Sequence, residues 1–186
     1  MPTEGFTKSD KAMLLRLACQ SMSNQLVIMG IPEVTGGANE NLSEFALKLA
    51  SALNVNVSPT DIVRIERMGR IRKRLLADGN DAHVRSRAIM FELSTKIKCD
   101  QIITAKKLQP DLNASAIDVG YCHNKVYINR RQPLELQKLR EQILKKYPTL
   151  TPKMVWIADA GVYLRKNADS KPIKLISSAD LSQLDL

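Results

Sequence analysis

The chain has 186 residues, 44% hydrophobic and 25% charged, which suits one modest domain plus an appendage and excludes a disordered or collagen-like chain. No apolar run approaches the roughly 20 residues of a membrane-spanning helix, and Met1-Pro2-Thr3-Glu4 opens no secretory signal, so an intracellular protein of nucleus or cytoplasm is expected. The formal net charge of +9 favours polyanionic partners, nucleic acid before an anionic membrane face.

Lys8 to Met22 reads as a short helix behind a Thr7/Asp10 capping box, with Leu14, Leu15, Leu17, Ala18 and Met22 as its apolar positions. Gln25 to Ile31 is an apolar run stopped by Pro32 and reads as a buried strand. After a loop with Gly36-Gly37, Leu42, Phe45, Ala46, Leu49 and Leu53 recur at helical spacing. Asn39 or Asn41 caps the start of that helix, and Asn54 takes the left-handed turn after its end. Ser58-Pro59-Thr60-Asp61 makes a capped turn. Ile62 to Met68 alternates as a half-exposed strand, with Ile62, Arg64, Glu66 and Met68 on one side and Val63, Ile65 and Arg67 on the other.

Gly69 to Ser86 is a long polar connection, and Arg87 to Leu93 is the next strand. Thr95 to Leu108 is a helix with Cys99, Ile102, Ile103 and Ala105 on its inner face, ended by Pro110. Lys125 to Asn129 reads as a strand. Pro133 then opens a helix with Leu136, Leu139, Ile143 and Tyr147 on one stripe. Lys153 to Ile157 and Val162 to Lys166 form strands around Asp159-Ala160-Gly161, the glycine being expected to supply the positive φ of the hairpin turn. Ile173 to Ile176 is a third strand, and Ser177 with Asp180 caps a last turn.

The order strand, helix, strand, strand, helix, strand predicts an α+β fold: an RRM-like (ferredoxin-like β-α-β-β-α-β) domain with two helices on one face of a four-stranded antiparallel sheet. The expected division is a helical segment over 1–23, the RRM-like domain over 24–130, and a helix-plus-hairpin domain over 131–186. The last is small for an independent core. The uncovered sheet face is where RRMs bind RNA.

Three groups of residues carry a family resemblance. The first is Gln25-Leu-Val-Ile-Met-Gly-Ile-Pro-Glu33 with Ser58-Pro-Thr-Asp-Ile62 and Ile65-Glu-Arg-Met-Gly-Arg70. The second is Val126-Tyr-Ile-Asn129 with Val155-Trp156. The third is Gly161-Val-Tyr-Leu-Arg-Lys166 with Ile176-Ser-Ser-Ala-Asp-Leu181. In this order they resemble the first-reading-frame proteins of LINE-type non-LTR retrotransposons and the baculovirus FP proteins, over residues 24 to 181. The resemblance implies an RRM followed by an FP-type C-terminal domain, acting together as a single-stranded nucleic-acid chaperone or packaging surface. It also implies homo-oligomers, which family members build through an upstream coiled coil; here a short helix stands in that place. No zinc knuckle is present.

Arg64, Arg67, Arg70, Arg72, Lys73 and Arg74 place six cations within eleven residues, and Arg85 and Arg87 lie at the other end of the same connection. Such a cluster neutralises phosphates and releases counterions, giving salt-dependent affinity. Arg67 and Arg70 match the family's basic strand-end motif and rank first. Arg130-Arg131 and Arg165-Lys166 are further candidates, with Tyr163, Tyr127 or Trp156 as stacking surfaces, a buried core ring being the favoured reading of Trp156. Aromatic residues are 4%, and the strand at Arg87 to Leu93 offers only Phe91. Backbone-dominated, sequence-tolerant binding of single-stranded RNA or DNA is therefore expected.

Nothing in the sequence assembles a catalytic constellation: there is no phosphate-binding Gly-x-x-x-x-Gly-Lys loop and no His-Glu-x-x-His. Cys19, Cys99 and Cys122 are too widely spaced for a disulfide framework, and with His83 and His123 they form no zinc-ligand pattern. A non-enzymatic protein without cofactor or metal is expected. The competing reading is a protein-interaction scaffold domesticated from a retroelement, binding partners through its helices.

Overall fold

The computed structural model of the protein describes residues 7–33, 40–70, 86–167 and 169–182. It is an α+β structure with two antiparallel sheets, divided into a central unit, Ser23–Arg131, and a terminal unit built from both ends of the chain, Met1–Met22 with Gln132–Leu186.

The first helix, α1 (Lys8–Ser21), begins at the expected capping box: Thr7 Oγ1 accepts from Asp10 N–H, and the Asp10 carboxylate accepts from Thr7 N–H at 2.9 Å. The central unit then runs β1 (Gln25–Met29), α2 (Leu42–Ala52), β2 (Ile62–Arg67), β3 (Ile89–Leu93), α3 (Lys96–Leu108) and β4 (Tyr127–Arg130). Its sheet has the order β2-β3-β1-β4, with every neighbouring pair antiparallel. Leu26 and Ile28 of β1, Ile89, Phe91 and Leu93 of β3, and Ile128 of β4 share one core with Phe45, Ala46 and Leu49 of α2 and Cys99 and Ile102 of α3. This side-chain alternation is what places both helices on one face.

Local chemistry fixes the ends of these elements. Asn41 Oδ1 accepts from Glu44 N–H at 3.1 Å to start α2, and Asn54 closes it at φ 55°. Asn39 lies outside the described residues. β1 stops at Met29 because Gly30 turns at φ +92°, where a Cβ would lie 2.1 Å from the Lys125 carbonyl oxygen. In β2 the pairing slips between Ile62 and Arg64. The slip puts Ile62, Ile65 and Arg67 opposite Leu93, Phe91 and Ile89, on the helix side, whereas strict alternation sets Ile62 against the other two.

The terminal unit continues with α4 (Leu134–Lys146), β5 (Val155–Ala158), β6 (Gly161–Leu164), β7 (Ile173–Leu175) and α5 (Ser178–Ser182). Leu136, Leu139 and Ile143 of α4 pack with Val155, Val162, Leu164 and Leu175, and α1 adds Leu15 to the same core. Lys8 Nζ pairs with Asp180 Oδ1 at 2.7 Å, while the other Asp180 oxygen accepts from Ile176 and Ser177 N–H. The helix read as a leading segment is therefore part of the C-terminal module's own core, which offsets that module's small size.

The β5–β6 turn corrects one expectation. Its positive φ values fall on Asp159 (42°) and Ala160 (55°), both central positions of a two-residue turn, not on Gly161. Gly161 opens β6 and serves packing instead: a Cβ there would meet Lys174 Cε at 2.6 Å. Among the described residues no helix is long and apolar enough to cross a membrane.

Candidate nucleic-acid interface

Arg67, ranked first from the sequence, sits on the helix-covered side of the sheet, its side chain 5% exposed. All five of its N–H donors are engaged. Nε donates to Glu40 Oε2 at 3.0 Å, and Nη1 donates to the carbonyls of Ile31 at 2.9 Å and Arg87 at 2.8 Å. Nη2 donates to the Pro32 carbonyl at 2.7 Å and to Glu40 Oε1. One guanidinium thus ties together the turn after β1, the approach to α2 and the approach to β3. With no donor left over and its charge matched by Glu40, Arg67 is a fold-holding residue rather than a phosphate contact.

Arg87 follows the same pattern. Its guanidinium grips Glu33, with Nη2 to Oε2 at 2.8 Å, and its Nη1 donates to the Gly69 carbonyl at 3.1 Å. Its own backbone N–H donates to Glu33 Oε1 at 2.7 Å. The Arg87 hydrogen bond holds the Glu33 carboxyl below the usual carboxylate range. Arg64 lies on the uncovered face but pairs with Glu66 at 2.7 Å. Arg130 is bonded to Asp100 and to the Ser23 carbonyl, and Arg131 Nη1 donates to Gln25 Oε1 at 2.9 Å. Except for Glu66, the acids that neutralise these arginines come from distant parts of the chain.

Arg70 is different: it is exposed, and no ion pair to a carboxylate holds it among the described residues. Arg72, Lys73, Arg74 and Arg85 lie outside the described residues. Strand register places the ends of their connection. Arg67 is opposite Ile89, Ile89 opposite Ile28, and Ile28 opposite Ile128, so the close of β2 and start of β3 share a sheet end with the close of β1 and start of β4. At that end Tyr127 and Met29 are cross-strand partners on the uncovered face, 51% and 41% exposed. The rest of that face carries Val27, Glu92, Asn129, Arg64 paired with Glu66, and Met90, which is only 2% exposed, so no row of unpaired cations extends along it and its centre is not open.

In the terminal unit Arg165 and Lys166 are both exposed. Arg165 lies over the Trp156 ring at 5.6 Å, and Trp156 stacks on Tyr163 with ring centroids 5.9 Å apart at 15°. Trp156 is not the core ring expected: Val155, Val162 and Leu164 take the core side of the sheet, and neither Trp156 nor Tyr163 packs in the core. Charge clustering along the chain does not single out Lys174, which sits over Tyr163 at 5.4 Å. Alternation within Ile173-Lys174-Leu175 is the signal that finds it, since the two flanking residues face inward.

Ser115 Oγ lies 2.6 Å from His123 Nδ1 and 2.7 Å from Asn113 Oδ1, a partly exposed cluster in the segment before β4. Among the described residues no three His, Cys, Asp or Glu side chains converge to hold a metal ion. Comparison with protein-family models gave no match, and comparison with curated proteins gave none of significance.

Proposed function

We propose that this chain is a non-catalytic protein that binds single-stranded nucleic acid, RNA before DNA, mainly through the phosphate backbone, as a chaperone or packaging surface. The central unit is read as RRM-like because two helices cover one face of an antiparallel sheet with the order β2-β3-β1-β4. The terminal unit is read as the FP-type domain of the same retroelement-related group. The observation that carries the reading is one end of this sheet, which carries exposed Tyr127 and Met29 on β4 and β1 and, just beyond β2 at the opposite edge, exposed Arg70. A strand crossing there meets one stacking surface and the Arg70 cation; Arg72, Lys73 and Arg74, which follow in the sequence outside the described residues, are proposed as further phosphate contacts.

The test is a titration of labelled oligouridylate at two salt concentrations with the intact chain and with R70Q/R72Q/K73Q/R74Q. Arg67 is left alone because its loss disturbs the fold. Binding should weaken steeply with salt, and the variant should flatten the dependence by about 0.7 in the log–log slope for each phosphate no longer neutralised. No binding at low salt, or an unchanged slope in the variant, overturns the reading.

A protein-interaction scaffold is the second reading, favoured by the outer face of α3. Ile97 and Leu108 are 68% and 80% exposed and line a groove with Leu53 and Val55. An I97E/L108E variant that keeps oligonucleotide affinity but loses a protein partner would move the function there.

A further inference from the structure

We infer that the outward face of the β5-β6-β7 sheet is a nucleobase-stacking site, with Trp156 and Tyr163 as the platform and Arg165 and Lys174 as its phosphate contacts. The inference rests on the nucleic-acid reading above and adds a second, separate place of contact with a different chemistry. Register puts Trp156, Tyr163 and Lys174 in one row across the three strands: Trp156 is opposite Tyr163, and Tyr163 opposite Lys174. Arg165 extends the row, its backbone N–H bonded to the Met154 carbonyl at 3.0 Å.

Two features separate this row from ordinary surface decoration. First, the protein's only tryptophan lies outside the core, held near-parallel to a tyrosine on the solvent side of the sheet. Both rings are half-buried, so each keeps part of its apolar surface available to a ligand. Second, the cations on these rings are not neutralised. Among the described residues neither Arg165 nor Lys174 forms an ion pair, whereas Arg64, Arg67, Arg87 and Arg130 all do.

Lys174 is also held in place. Its stem lies over Gly161, where no Cβ obstructs it, and its Nζ donates to the Asp159 carbonyl at 2.8 Å. The ammonium keeps two further donors for a phosphate. Rings with a π-face and cations at their edges fit a single strand, in which base and phosphate recur together. A duplex keeps its bases stacked inside and offers only the phosphates. An incoming base competes with Arg165 for the Trp156 surface, and the released guanidinium meets the adjoining phosphate.

Because Trp156 is the sole indole, its fluorescence reports this site in the intact chain. Oligouridylate is titrated twice, once by anisotropy of a labelled strand and once by Trp156 emission with an unlabelled one. Inorganic polyphosphate and a duplex serve as probes carrying phosphate without free bases. The expected result is saturable quenching by the single strand at the concentrations that raise anisotropy, and little quenching by the other two. W156A should weaken single-strand binding by about tenfold, while W156F, which keeps a ring, stays near the parent. If W156A fails to fold, quenching in the parent chain decides. A rise in anisotropy with unchanged Trp156 emission overturns the stacking site and leaves the nucleic-acid reading standing. Absence of any anisotropy change at low salt overturns both.

Discussion

Arg67 illustrates how a residue's charge can be read from sequence while its availability cannot. The bulge after Ile62 turns it toward the helices, and Glu40, Ile31, Pro32 and Arg87 take every donor. Removing it leaves the Glu40 carboxylate, 12% exposed, without a counter-charge. Arg67→Ala should therefore lower unfolding free energy by about 3 kcal/mol or more, measured by urea denaturation. Arg70→Gln, at an exposed position without an ion pair among the described residues, should stay within about 0.5 kcal/mol of the parent. An equal loss in both would remove the distinction between them. Acid sensitivity belongs to this scale too. Ser58, through its backbone N–H and its hydroxyl, lowers Asp61 to about 2, and Arg87 holds Glu33 down. Both folded-state values lie below the unfolded ones, so the stability they add is full above about pH 4 to 5 and is lost as pH falls through the folded-state values. The acid limb of a pH–stability curve should thus continue toward about pH 2, and D61N with E33Q should flatten it.

The elements themselves were largely legible. Apolar spacing and capping residues located α1, α2, α3 and α4 closely, because a helix that buries one stripe needs a regular pattern and a side chain to satisfy its first N–H groups. What spacing could not give is partnership between distant elements. The apolar positions of α1 do not say that Leu15 packs with Leu136, Ile143 and Val162 far along the chain. Nor does Asp159-Ala160-Gly161 say that a lysine stem will claim the space over its glycine, leaving the left-handed turn to Asp159 and Ala160. The membership of α1 has a direct test. Leu15→Ala should destabilise the terminal unit by roughly 2 to 4 kcal/mol, read by Trp156 fluorescence, which lies in that unit. Lys8→Ala should cost less than about 1 kcal/mol, since the Lys8 side chain is 70% exposed and its bridge is screened by water. If Leu15→Ala leaves the fluorescence transition where it was, α1 is an appendage after all.

At the scale of the whole molecule, a net charge of +9 is a poor guide to where a polyanion would lie. Arg64 and Arg130 contribute to that total as fully as Arg70 and Arg165, yet Glu66 and Asp100 already stand against them. A phosphate must compete with those carboxylates for the first two and meets no such competitor among the described residues at the second two. Counterion release follows from cations that can reach phosphates, not from the sum of charges. Two double variants with the same change in net charge therefore separate the two views. R70Q/R165Q should flatten the salt dependence of oligouridylate binding by about 0.7 in the log–log slope for each phosphate left without its arginine, while R64Q/R130Q should leave the slope close to that of the parent. Equal flattening by both would mean that the strand responds to the molecule's overall field and that the ion pairs open when it arrives. Unequal flattening in the expected direction would mean that the protein's own carboxylates select which arginines a nucleic acid can use.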